Sequence, residues 1–278
     1  MKNLLLRTIS GVVFVLILVS AIWFGPYSFV GVFGLIVFLC LFEFYSLVNK
    51  VKDVSVRKVV NCMAGLYLFL AFFLHLLLSI PLILLLIPYF VYIINVFVVG
   101  LYLKKENPVK NWAYSFLGQM YIVLPFSSLN MICLLPDNTG TVVYSPILLL
   151  ALFAFIWIND TGAYLVGITF GKHRLFERIS PKKSWEGFWG GVVFVLASSF
   201  VFAHFVTSIP MLHWLCMAVV TVIFATWGDL VESLMKRTLG VKDSGKMIPG
   251  HGGILDRMDS VILAAPAMMV CYYILQWI

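Results

Sequence analysis

Charge is what this 278-residue sequence has least of: 12 acidic and 19 basic side chains, 11% of the chain, against 62% hydrophobic residues and a mean hydropathy of +1.04. A soluble domain carries roughly a quarter charged residues, so no stretch is left to fold in water by itself. Clustered cysteine is missing as well. Cys40, Cys62, Cys133, Cys216 and Cys271 stand singly in apolar runs with no CxxC spacing, which excludes a thiol metal centre and leaves packing as their role. The five histidines form no HxxxH or HExxH pattern, and there is no GxxxxGK[ST] loop and no HRD or DFG set. These absences exclude the common zinc hydrolase, P-loop and protein-kinase chemistries.

What the chain does have is apolar runs of about 20 residues, the length needed to cross a bilayer as a helix. Nine are readable, at about 5–24, 28–47, 59–79, 82–103, 112–135, 146–169, 187–208, 211–232 and 259–278. They predict an all-α polytopic membrane protein. The first, in MKNLLLRTISGVVFVLILVSAIWF, has a weak VSA cleavage signal but is longer than the core of a signal peptide, which favours a retained helix.

Basic residues occupy only alternate connections. Lys2 and Arg7 open the chain; Lys50, Lys52, Arg57 and Lys58 follow the second run; Lys104, Lys105 and Lys110 follow the fourth. Lys172, Arg174, Arg178, Lys182 and Lys183 follow the sixth, and Lys236, Arg237, Lys242, Lys246 and Arg257 follow the eighth. The connections around Pro26, Pro81, Asp137 and Pro210 carry none. Positive residues stay on the cytoplasmic side, so the amino terminus is expected in the cytoplasm and the carboxy terminus outside. This asymmetry also accounts for the net charge of +7 without any nucleic acid.

Acids inside apolar runs need a different explanation, because an ionised carboxylate near the bilayer centre costs about 2.5–3.5 kcal/mol. In the first 110 residues, read as mainly structural helices, Glu43 is the only one, near a helix end where water or a lysine could satisfy it. Residues 111–278 differ. IWINDTGAY contributes Asn159 and Asp160, and TWGDLVESLMKR contributes Asp229, Glu232, Ser233 and Lys236 at spacings of three and four, hence on one helix face. A glycine cap is expected at Gly240, followed by a loop with Lys242, Asp243, Lys246 and GHGG, then a helix from near Ile254 that starts with Asp256 and Asp259. The dipole of that helix explains acids at its start, but not the glycines and lysines beside them. Glycines let backbone amides approach an anion, basic residues neutralise phosphate, and carboxylates among them suggest Mg²⁺, with Asp229 and Asp256 as the available ligand pair.

Taken together, S-L-M-K-R, four residues, K-D-S-G, K-M-I-P-G and H-G-G-I-L-D-R-M-D, residues 233–259, resemble without a gap the signature of the phosphatidate cytidylyltransferases, or CDP-diacylglycerol synthases. A looser likeness reaches back through SPKKSWEG and INDTGAY; residues 1–110 add only span number and hydrophobicity. The resemblance implies transfer of cytidylyl from CTP to phosphatidate, giving CDP-diacylglycerol and pyrophosphate, by a homodimer in the cell membrane. It implies Mg²⁺, with room for a second cation such as K⁺. Asp229, Asp256, Lys236 and Arg257 are the expected catalytic groups. Asn159, Asp160, Lys182, Lys183, Ser184, Ser233, Arg237, Lys242, Asp243, Lys246, His251, Gly252, Gly253 and Asp259 are the expected substrate-binding groups. A transporter would spread its polar residues across the midplane, and another lipid-phosphate enzyme such as a polyprenol kinase should lack the full signature.

Overall fold

In a bilayer every backbone N–H and C=O must be satisfied within the chain, and helices do this segment by segment. The computed structural model describes residues 2–103, 107–137 and 139–277, with side chains described from residue 8 onward. Lys104, Lys105 and the side chains of Lys2 and Arg7 lie outside the described residues. Among those described, eight helices are long and apolar enough to cross a membrane. The chain is an integral membrane protein. In the first helix, α1 (Lys2–Trp23), the described apolar part is Thr8–Trp23, shorter than the other eight.

The chain forms two compact units, Met1–Pro146 with Asp243–Met258, and Ile147–Lys242 with Asp259–Ile278. The signature is therefore divided. Residues 233–242 fold with one unit and 243–258 with the other.

In the first unit α1 is followed by α2 (Pro26–Val48), α3 (Lys58–Leu78) and α4 (Leu82–Tyr102). Then comes a rod over Pro108–Cys133, made of α5 (Pro108–Gly118), a π-helical turn at Gln119–Val123 and α6 (Leu124–Cys133). The π-turn has a cause in sequence: Pro125 has no N–H to give the preceding turn, and the Leu124 amide reaches back to the Gln119 carbonyl. Fully buried Phe29, Phe33, Phe44, Phe69 and Phe126 fill the core. Beside it Tyr45, Asn61, Tyr92, Ser115 and Gln119 hydrogen-bond one another across α2, α3, α4 and the rod, the polar linkage membrane helices use where lipid is as apolar as leucine. On α4 only Tyr92 and Val96 are buried, leaving a face of Ile83, Leu84, Ile87, Val91 and Ile94 outward.

Two short strands, β1 (Leu134–Pro136) and β2 (Val142–Tyr144), close this part of the chain as an antiparallel hairpin. In its turn the Asp137 carboxylate accepts from the Thr139 hydroxyl and the Thr139 and Thr141 amides, which holds its carboxyl below the usual aspartate range.

The second unit contains α7 (Ile147–Phe170), a hairpin of β3 (Arg174–Phe176) and β4 (Ser180–Ser184), α8 (Trp185–Phe205), α9 (Met211–Thr238) and most of α10 (Leu255–Trp277). Small residues decide how closely α7 and α8 pack. A Cβ on Gly187 would come within 2.8 Å of the Ala163 carbonyl, and one on Gly191 would collide with the Asn159 side chain. Gly191→Ala is expected to cost about 1–3 kcal/mol by overpacking, read as a lower unfolding temperature in detergent. An unchanged temperature would show that Asn159 can move aside.

Candidate active site

The α7–α8 contact and the hairpin frame a cavity of about 220 Å³ within the second unit. It is lined by Asn159 and Asp160 of α7, by Lys182, Lys183 and Ser184 of β4, and by Tyr164, Phe188 and Thr226. Five residues singled out from two separate sequence motifs thus meet in one place. Tyr164 and Thr226 stand inside stretches quoted from the sequence, IWINDTGAY and TWGDLVESLMKR, but were given no role there, and Phe188 was not singled out.

β4 is held where it is by the motif's glutamate. Glu186 accepts from the Lys172 and His173 amides at 3.1 and 3.2 Å and meets His173 Nδ1 at 2.6 Å, tying the start of α8 to the far side of the hairpin. Ser184 caps α8 by accepting from the Gly187 amide at 3.1 Å. Ser184 therefore has a local task besides lining the cavity, and Glu186 was quoted in sequence without a role. Lys183 then reaches α9, with Nζ 2.6 Å from Asp229 Oδ2. Both side chains are about two-thirds buried, so this pair is worth more than a surface contact.

On α9 the spacing of three and four has the expected result. Ser233 Oγ donates to Asp229 Oδ1 at 3.1 Å, and Lys236 pairs with fully buried Glu232 one turn earlier. Lys236, expected as a catalytic cation, is thus already matched by an acid on its own helix. The helix stops where predicted: Gly240 takes a φ of +69°, its amide bonds to the Arg237 carbonyl, and the Val241 amide bonds to the Lys236 carbonyl. Arg237 donates to the Val241 carbonyl at 3.4 Å. Gly228 lets α9 approach α10 at the Asp259 carbonyl and Ser260, and the charged groups facing Asp259 are Asp229, Lys236 and Asp160.

The loop that follows is built within the first unit. Ser244 N donates to both oxygens of Asp256, at 3.1 and 2.9 Å, and Gly253 N donates to Asp256 Oδ2 at 2.7 Å. Backbone amides do approach an anion here, as the glycines suggested. That anion is the protein's own carboxylate. Gly252 has a φ of +87° and forms an antiparallel bridge with Ile248, while a Cβ on Gly253 would collide with Glu43 and Ser244. His251 Nδ1 lies 2.8 Å from Ser10 Oγ of α1, whose hydroxyl donates to the Pro249 carbonyl at 3.1 Å. Lys242, Asp243, Lys246 and Arg257 are exposed.

Sequence reasoning gave Glu43 water or a lysine for company. Instead it is buried and accepts from Ser244 Oγ at 2.9 Å and from the Leu255 amide at 3.0 Å.

A metal can be tested against these donors. No three His, Cys, Asp or Glu side chains converge among the described residues. Mg²⁺ needs only one or two carboxylates, with water and phosphate oxygens filling the octahedron. Asp229, with the Ser233 hydroxyl on it, offers hard oxygen donors only, and its carboxylate already carries one cation, the Lys183 ammonium. The amide bonds to Asp256 are of the kind that orient a ligating carboxylate from its outer shell. The oxygen donors at Asp229, taken within its own unit, are of the kind Mg²⁺ takes.

Comparison with known proteins follows the same line. The model of the cytidylyltransferase family matches residues 5–275. A phosphatidate cytidylyltransferase of Haemophilus influenzae is 37% identical over 174 residues, 61% of this chain and 59% of the relative. The phosphatidate cytidylyltransferase of Staphylococcus epidermidis is 48% identical over 123 residues, 43% of this chain and 47% of its own. That of Staphylococcus aureus is 46% identical over 120 residues, 42% and 46%. The chain thus spans about half the length of the curated relatives it matches. With a family match over almost its whole length, the chain belongs to the cytidylyltransferase family.

Proposed function

We propose that this protein transfers the cytidylyl group of CTP to phosphatidate, forming CDP-diacylglycerol and releasing pyrophosphate. The observation that carries the reading is the meeting of Asn159, Asp160, Lys182, Lys183 and Ser184 around one cavity, with Lys183 paired to Asp229. An oxygen of the phosphatidate phosphate attacks the α-phosphorus of CTP, and the bond from that phosphorus to the bridging β-phosphate oxygen breaks. That nucleophile is already an anion at neutral pH, so neither a strong base nor a covalent enzyme intermediate is required. The protein's work is to align the two phosphates and balance their charge.

Lys182 and Lys183 are proposed to bind phosphate oxygens, with Ser184, Asn159 and Asp160 on the rest of the nucleotide. Lys236, Arg237, Lys242, Lys246, His251 and Arg257 divide the remaining phosphate charge, and Ser233, Asp243, Asp259, Gly252 and Gly253 complete the proposed substrate-binding groups. Asp229 and Asp256 are the proposed Mg²⁺ ligands, and the bound ion would neutralise charge on the triphosphate and the leaving pyrophosphate. A second cation, a homodimer, nine spans with the amino terminus in the cytoplasm and the carboxy terminus outside, and a reaction face on the cytoplasmic side complete the proposal. The restriction of basic residues to alternate connections supports the orientation.

Purified protein in detergent, given phosphatidate, labelled CTP and Mg²⁺, is expected to form a lipid nucleotide and an equal amount of pyrophosphate. Folded protein that yields neither product refutes the reading.

A further inference from the structure

The loop over residues 243–253 is pinched at its base by two carboxylates. Asp256 takes the amides of Ser244 and Gly253, and Glu43, from α2, takes the Ser244 hydroxyl and the Leu255 amide. Each end of the loop is thus bound to both acids. Glu43 is 3% exposed, and its Oε1, without a hydrogen-bond partner among the described residues, lies against Gly245, where an added Cβ would collide with it. A Cβ on Gly253 would collide with Oε2. The loop has glycine at the two places where Glu43 presses on it.

Stability alone gives a poor account of this acid. Burying a carboxylate is expensive, its two donors are both neutral, and well-packed apolar residues commonly match or exceed such arrangements. What the acid supplies is register. It fixes Ser244 and Leu255 against one rigid helix end and leaves the arc that carries Lys246 and His251 a single base to stand on.

We propose that Glu43 is a positioning residue for nucleotide binding, acting through Ser244, Gly253 and Leu255 and touching no reacting group. This rests on the reading of the loop as phosphate-binding given above. It predicts that removing Glu43 loosens the loop and weakens CTP binding without unfolding the protein.

The test compares full-length wild type, Glu43→Ala, Glu43→Gln and Ser244→Ala in detergent by amide hydrogen exchange and by CTP kinetics on the same samples. Glu43→Ala should speed exchange at Ser244, Gly253 and Leu255 by about tenfold. It should lower kcat/KM by between about 10- and 100-fold, mainly through KM for CTP. Glu43→Gln, which keeps an oxygen for both donors, should recover most of each effect. Ser244→Ala should lie between, and should add little to Glu43→Ala in the double variant. The proposal is overturned if folded Glu43→Ala leaves loop exchange unchanged, if Gln is as damaging as Ala, or if kcat/KM falls only in step with lost folded protein. Should Glu43→Ala not fold, Ser244→Ala decides alone, and unchanged loop exchange and KM in it overturn the proposal. Wild type that is inactive with CTP refutes the activity reading, while the exchange comparison still decides whether Glu43 holds the loop.

Discussion

Asp229→Asn is expected to slow the proposed formation of CDP-diacylglycerol by about 10²- to 10³-fold, the scale on which a preorganised electrostatic group acts in a transition state, in protein that stays folded. Asn has the shape of Asp, and the Ser233 hydroxyl can still donate to its oxygen as it does to Asp229 Oδ1. The charge is what disappears. Lys183 then loses the carboxylate 2.6 Å from its ammonium, and the proposed Mg²⁺ loses an anionic ligand. A higher Mg²⁺ requirement should accompany the slower turnover, separating lost cation binding from a general disturbance of α9. Turnover within a few fold of wild type, at ordinary Mg²⁺, would take Asp229 out of the metal proposal.

For Asp256→Asn the expected loss is as large, but its cause is partly mechanical. Asp256 Oδ2 accepts from the Ser244 and Gly253 amides, and Oδ1 shares the Ser244 hydrogen. An amide group in its place must point its NH₂ at one or more of these donors. Each buried N–H left facing another donor costs about 1–3 kcal/mol, so the base of the loop should open as well as lose charge. Two readouts are therefore expected to move together in this variant: turnover, and the exchange rates of the Ser244 and Gly253 amides. Normal loop exchange with abolished turnover would assign Asp256 to ligand chemistry alone. Normal turnover would remove it from the site.

The contrast between these two aspartates shows what could be read from sequence. Asp229, Ser233, Glu232 and Lys236 lie at helix spacings, and the bonds between them are the ones that spacing predicts. Gly240 as a left-handed cap followed from residue type and position in the same way. Eight of the nine apolar runs agree with the long apolar helices to within about six residues, because one physical requirement, bilayer thickness, sets both. Contacts without a period were not legible. RLFERISPKKS reads as a polar loop, yet two short strands form in it as Glu186 gathers the Lys172 and His173 amides from fourteen and thirteen residues away. The π-turn at Gln119–Val123 follows from Pro125, but only once the helix around it is known. Glu43 did carry a signal, as the single acid within the apolar runs of the first 110 residues. Nothing in the sequence named its partners.

Those partners also come late. Glu43 is made 201 residues before Ser244 and 212 before Leu255. During synthesis the second helix therefore enters the membrane with an acid whose two donors do not yet exist. A chain interrupted before the last helix keeps that acid unmet in an apolar setting, where an unsatisfied carboxylate is costly. The contact that shapes the loop would then also distinguish a finished chain from an unfinished one.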